Sequence, residues 1–120
     1  MVVRNLLLAT DSDGLFDDVA AALGGTYEVY RVREGARVTG AIGEVNPEVI
    51  VLDLQIGNMG GVATSLLLKQ EQRAGRLDEV PILLLLDRDA DTFLAQQSNA
   101  DAWLVKPLNS LALRRAVEAL

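Results

Sequence analysis

The sequence predicts one α/β domain on a parallel sheet, and three observations predict it. Four short apolar runs, Leu6-Leu7-Leu8-Ala9, Val49-Ile50-Val51-Leu52, Ile82-Leu83-Leu84-Leu85-Leu86 and Trp103-Leu104-Val105, each stop at a polar or charged residue. Unbroken runs of this length suit strands covered on both faces, the usual condition in a parallel sheet. The segments between them carry apolar residues at helical spacing, so strand and helix alternate. The length, 120 residues, is that of one domain, and such a chain buries about 65% of its unfolded surface without staples.

Each element follows from its own residues. The first strand, Leu6-Leu7-Leu8-Ala9, is stopped by Thr10-Asp11-Ser12-Asp13-Gly14. Leu15, Val19, Ala22 and Leu23 share one helical face, and Gly24-Gly25 ends that helix. Residues 26–32 alternate apolar and polar, which predicts a sheet-edge strand with one wetter face. Residues 35–45 form a weaker helix, loosened by Gly40 and Gly43 and closed before Pro47. The β-branched run 49–52 stops at Asp53. A helix over 62–73 presents Val62 and Leu66, and its Leu66-Leu67-Leu68 run must expose at least one leucine. The run after Pro81 stops at Asp87, residues 90–98 form a short polar helix, and the last apolar run stops at Lys106-Pro107. Ser110 caps a final helix with Leu111, Leu113, Val117 and Leu120 on its apolar side. Five strand–helix units imply right-handed crossovers and helices on both faces of the sheet.

Composition excludes several chemistries. The chain has no cysteine and no histidine, so disulfides, thiolate or imidazole metal sites, a Ser-His-Asp triad and phosphohistidine on this chain are ruled out. The net charge of −6 argues against a nucleic-acid surface on this domain. No stretch approaches the ~18 apolar residues of a membrane span. The opening Val2-Val3-Arg4-Asn5 leads into a short apolar run and then acids, which is no secretory signal. A cytoplasmic protein with no membrane partner is expected.

In an open α/β sheet, sites form beyond the carboxyl ends of the strands. Those ends are Thr10-Asp11, Asp53, Leu86-Asp87 and Lys106, which places three carboxylates and one lysine on one rim. Two like charges about 4 Å apart repel by about 4 kcal/mol at an effective dielectric of about 20. Such a rim therefore calls for a cation, and Lys106 supplies one charge. A hard ion such as Mg²⁺ would supply more, through carboxylates, a backbone carbonyl and water.

The whole chain resembles the receiver domain of two-component response regulators. The resemblance rests on Leu6-Leu7-Leu8-Ala9-Thr10-Asp11, Asn46-Pro47-Glu48-Val49-Ile50-Val51-Leu52-Asp53, Gly60-Gly61, Val80-Pro81-Ile82 and Ala100-Asp101-Ala102-Trp103-Leu104-Val105-Lys106-Pro107. It implies a flavodoxin-like (βα)5 fold, a doubly wound parallel five-stranded sheet in the order 2-1-3-4-5 over residues 1–120. Such a domain stands alone or forms the amino-terminal part of a longer regulator. The resemblance further implies that Asp53 accepts a phosphoryl group from a histidine kinase or phosphotransfer protein. Asp11, Asp53 and the backbone carbonyl of Gln55 would hold Mg²⁺, Lys106 would contact the phosphoryl oxygens, and the Lys106-Pro107 bond would be cis. A carboxylate attacks phosphorus only when the gathering negative charge is neutralised. Partners would be that kinase and an effector domain or protein. The face of the fourth helix, fifth strand and fifth helix, with Arg88, Asp91, Arg114, Arg115 and Glu118, could also pair two copies.

The sequence departs from that family at its switch. Thr10 stands where the first of two acids is usual, which weakens the metal site by one charge. Leu86 stands at the usual Thr or Ser, Asp87 follows where a small residue is usual, and Trp103 replaces the usual Tyr or Phe. A shift of one residue would put Asp87 itself at the switch position. A phosphorylation-independent interaction or dimerisation module is therefore the alternative. A more distant one is a haloacid-dehalogenase-like phosphatase with Asp11 as nucleophile and Asp13 as general acid, though it leaves Asp53 and Lys106-Pro107 unexplained. A flavin site is disfavoured by the acids after the first strand. A Walker-type NTPase is excluded because residues 35–40 lead into Ala41-Ile42 rather than Lys-Ser or Lys-Thr. No turnover of its own is expected beyond accepting and losing a phosphoryl group.

Overall fold

In the computed structural model, residues 4–120 are described; Met1 and the Val2-Val3 pair of the sequence reading lie outside them. The elements are β1 (Arg4–Ala9), α1 (Asp13–Leu23), β2 (Tyr27–Val32), α2 (Val38–Val45), β3 (Val49–Asp53), α3 (Gly61–Arg73), β4 (Ile82–Leu86), α4 (Thr92–Gln97), β5 (Ala102–Val105) and α5 (Ser110–Glu118). The strands form one parallel sheet ordered β2-β1-β3-β4-β5, the flavodoxin-like arrangement. The edge position of β2 agrees with its alternating sequence.

The period of two along each strand divides the core into two layers. Leu7, Ile50, Leu52, Ile82, Leu84 and Leu86 face Val38, Leu68 and Ala95. On the other side, Leu6, Leu8, Val51, Leu83 and Leu85 meet Leu15, Val19, Leu23, Leu113 and Val117. The leucines of β1 and β4 have no exposed surface, and fully burying each contributes about 2 kcal/mol. Those central strands form a stiff floor whose carboxyl ends the site occupies.

Several expectations are corrected. The run Trp103-Leu104-Val105 is only half-buried, because β5 is the second sheet edge. The inward face of α3 is Gly61, Thr64, Ser65 and Leu68, while Leu66 is exposed. Small residues are needed there because α3 starts hard against the sheet: a Cβ on Gly61 would lie 2.7 Å from Asp53 O. The final helix is capped by Asn109, whose Oδ1 accepts from Ala112 N, and not by Ser110; Leu111 is exposed. The helices expected over 35–45 and 90–98 begin instead as 3-10 turns, at Gly35–Arg37 and Asp89–Asp91. Asp91 is buried and accepts from Arg88 N and Nε, so it closes a turn and is not a surface charge for a partner.

The segment after Asp53 is clipped to the exit of β2. Gly35 N donates to Gly57 O, Ala36 N to Asn58 O, and Asn58 Nδ2 to Glu34 Oε2. Asn58 and Met59 take left-handed backbone, with φ of 50° and 79°. A Cβ on Gly35 would fall inside the van der Waals shell of Met59 O, so the close approach requires glycine.

Candidate functional site at the carboxyl edge of the sheet

The strand register assembles the site. Ala9 pairs with Leu52, Asp53 with Leu85, and Leu86 with Val105. The next residues along β1, β4 and β5 are Thr10, Asp87 and Lys106, and these reach the last residue of β3, Asp53, directly or through one another. Asp53 is 5% exposed. Its Oδ1 accepts from Lys106 Nζ at 2.6 Å and from Gln55 N at 3.2 Å, and its Oδ2 accepts from Thr10 Oγ1 at 2.8 Å. A buried carboxylate persists only when paired and hydrogen-bonded, and these three donors meet that condition.

Lys106 Nζ also donates to Asp87 Oδ1 at 2.8 Å. Two carboxylates thus share one ammonium, and these three groups carry a formal charge of −1. Burial pushes the Lys106 pKa down, but its hydrogen bonds to Asp53 and Asp87 outweigh that and raise it above the usual lysine value. Lys106 in turn holds the Asp87 carboxyl below its usual range, against a smaller opposing effect of burial. The Lys106-Pro107 peptide is cis.

Asp11 and Asp13 belong to a second, outer group. Asp11 Oδ1 lies 3.6 Å from Arg33 Nη1. Asp13 Oδ1 accepts from Arg31 Nη1 at 2.7 Å and Arg33 Nη2 at 3.2 Å, and these bonds hold its carboxyl below the usual range. Arg31 Nε donates to Thr10 O at 3.0 Å. Asp87 and Asp53 therefore meet at Lys106, whereas Asp11 is engaged with Arg33. Among the described residues, no group of three or more acids is placed to hold a metal ion. Asp11, Asp53 and the Gln55 carbonyl offer only oxygen donors, the chemistry a hard divalent ion accepts.

No family model matches the chain. The sensory transduction protein BceR of Bacillus subtilis (strain 168) is 30% identical over 118 residues, covering 96% of this chain and 48% of that protein. The transcriptional regulatory protein AfsQ1 of Streptomyces coelicolor is 32% identical over 127 residues, covering 97% of this chain and 50% of that protein. The fold matches the signal receiver domain of a signal transduction histidine kinase from Syntrophus aciditrophicus with a TM-score of 0.85 at 23% identity, over 98% of this chain and 89% of that one. The chain is a response-regulator receiver domain. It spans about half the length of the curated relatives it matches.

In this receiver domain Leu86 is wholly buried and packs in the α2–α4 side of the core, with Trp103 against the same cluster. Asp87, not Leu86, sends its side chain to the site. The roles of three residues were not read from the sequence. Thr10, read as a lost acid, is a hydroxyl donor to Asp53. Arg31 and Arg33 balance the outer acids. The signal for them was the charge pattern at the end of the strand expected beside β1, where Leu8 pairs with Arg31.

Proposed function

We propose that Asp53 is the phosphoacceptor of a two-component relay, with Lys106 as the cation that receives the transferred phosphoryl oxygens. The observation that carries this reading is the 2.6 Å contact between the Lys106 ammonium and the buried Asp53 carboxylate at the end of β3. A carboxylate oxygen of Asp53 attacks the phosphorus of a phosphohistidine on the kinase or phosphotransfer protein, and the bond from phosphorus to the imidazole nitrogen breaks. Lys106 offsets the added negative charge, and Gln55 N and Thr10 Oγ1 keep the carboxylate oriented. Asp11, Asp53 and the Gln55 carbonyl are the groups that would hold Mg²⁺, which when bound supplies further charge neutralisation. With no histidine in the chain, the donor is another molecule.

Output passes to an effector domain or protein in the cytoplasm, with Leu86, Asp87 and Trp103 at the switch positions, and the domain has no further turnover of its own. The surface of α4, β5 and α5, with exposed Phe93 and Leu94 on α4 and Arg114, Arg115 and Glu118 on α5, is the proposed face for a partner or a second copy. Phosphatase chemistry on Asp11 and Asp13 is not favoured. A general acid must hold a proton at neutral pH, and two guanidinium groups keep Asp13 ionised.

Incubation with Mg²⁺ and acetyl phosphate, read by intact mass, tests the proposal. A single phosphoryl adduct in the wild type that is absent from Asp53→Asn is expected. No adduct, with Trp103 emission unmoved by Mg²⁺, would leave a phosphorylation-independent interaction module.

A further inference from the structure

We propose that Asp87 is a resident anion that competes with the phosphoryl group for Lys106, and so sets how readily and how long Asp53 is phosphorylated. The proposal rests on Asp53 being the phosphoacceptor and names the residue that regulates that site. Lys106 Nζ is placed between Asp53 Oδ1 at 2.6 Å and Asp87 Oδ1 at 2.8 Å. An ammonium has three N–H donors, and two are already directed at carboxylates. Lys106 is the only lysine or arginine within ion-pairing distance of Asp53 among the described residues. Any phosphoryl oxygen seeking this cation meets Asp87 already on it.

Three further observations place Asp87 in this role. The preceding residue, Leu86, is buried among apolar side chains and offers no hydroxyl. The end of β4 therefore presents the incoming group with a carboxylate and no neutral donor. The Asp87 side chain is 33% exposed, against 7% for Asp53, so it stands at the mouth of the site, where the donor arrives. It stays charged there, since Lys106 holds its carboxyl below the usual range.

The chemistry affected is simple. An oxygen of the Asp53 carboxylate attacks the phosphorus of an acyl phosphate, the bond from phosphorus to the carboxylate of the donor breaks, and acetate leaves with the electron pair. No proton is needed. The fully ionised product, an acyl phosphate of charge −2 in place of a carboxylate of charge −1, adds one negative charge to a site that already carries one in excess. Removing the Asp87 charge lowers that repulsion and frees one N–H of Lys106 for a phosphoryl oxygen.

The test uses the full chain with acetyl phosphate and Mg²⁺, comparing wild type, Asp87→Asn and Asp87→Thr. Adduct is followed by intact mass, and its decay is followed after the donor is removed. Near-ultraviolet circular dichroism around Trp103 checks that each variant is folded, and thermal melting checks the same point. Both neutral variants should form the adduct about tenfold faster, or hold it about tenfold longer, than the wild type. The gain should vanish when Asp53→Asn is added. Beryllofluoride, titrated against Trp103 emission, should bind the neutral variants more tightly by a similar factor. If wild type labels on Asp53 and both folded variants label equally or more slowly, Asp87 positions Lys106 instead of competing for it, and the proposal is overturned while the phosphoacceptor reading stands. If no variant forms an adduct and none binds beryllofluoride, both fall.

Discussion

Two clusters of acids and bases lie side by side at the carboxyl edge of the sheet, and they differ in depth. The inner one joins Asp53, Asp87 and Lys106, with Asp53 almost wholly buried. The outer one joins Asp11 and Asp13 to Arg31 and Arg33, and both its carboxylates are more than 70% exposed. Contact distances overlap, but the energetics do not. Water screens the outer pairs, and such pairs contribute about 0–1 kcal/mol. In the inner cluster desolvation has already occurred, so removing one partner leaves an uncompensated charge. Chemistry that depends on a poised carboxylate belongs to the inner cluster, while the outer one trims local charge.

The contrast can be broken from its strongest side. Lys106→Met strands Asp53 beside Asp87 with no cation and should cost about 3 kcal/mol in urea unfolding; a loss under about 1 kcal/mol would mean that the inner cluster behaves like a surface pair. Thr10→Val keeps the shape of the side chain and removes the hydroxyl donor to Asp53 Oδ2. It should cost about 2 kcal/mol by the same measurement, the cost of a hydrogen bond to a charged group. Arg33→Ala should change stability by about 0.5 kcal/mol or less, and about 0.5 M salt should erase the difference. An effect as large as that of Thr10→Val would make the outer cluster structural.

Acidity gives the smallest effect in the neutral range. Asp87 and Asp13 have lowered pKa values, so their stabilisation is present above the usual carboxylate value and is lost as pH falls through the native one. Lys106 has a raised value, so its stabilisation is present below the usual lysine value and is lost as pH rises through the native one. With no histidine in the chain, melting temperature should be flat between about pH 5 and 7. A step in that interval, seen by calorimetry, would place a carboxylate with a raised pKa in the inner cluster.

Much of the fold was legible because three of its strands are buried on both faces and so lack alternation. The fifth strand was not legible as an edge from its own residues, since Trp103-Leu104-Val105 is as apolar as an interior run; only the strand order, which came from the resemblance, makes it an edge. The face of α3 was misread because Leu66 looks like core, whereas the close approach at Gly61 selects Thr64 and Ser65 to turn inward. In the site, Asp53, Asp87 and Lys106 were legible as the charged residues that stop apolar runs. The donor role of Thr10 depends on the register between β1 and β3, and the pairing of Arg31 and Arg33 on that between β1 and β2, long-range facts that local patterns do not carry.

The clip between Gly35 and Met59 has a consequence for sequence change. The seven residues between Asp53 and Gly61 are pinned at Gly57 and Asn58 and must also deliver Gly61 to the backbone of Asp53. An insertion or deletion there has no slack to absorb it, unlike one in an ordinary surface loop. Saturation mutagenesis should find position 35 as intolerant as the central leucines, although its tight contact is with a loop and not with a packed side chain. The length of this loop, as much as any side chain on it, is a constraint that any rearrangement around Asp53 has to respect.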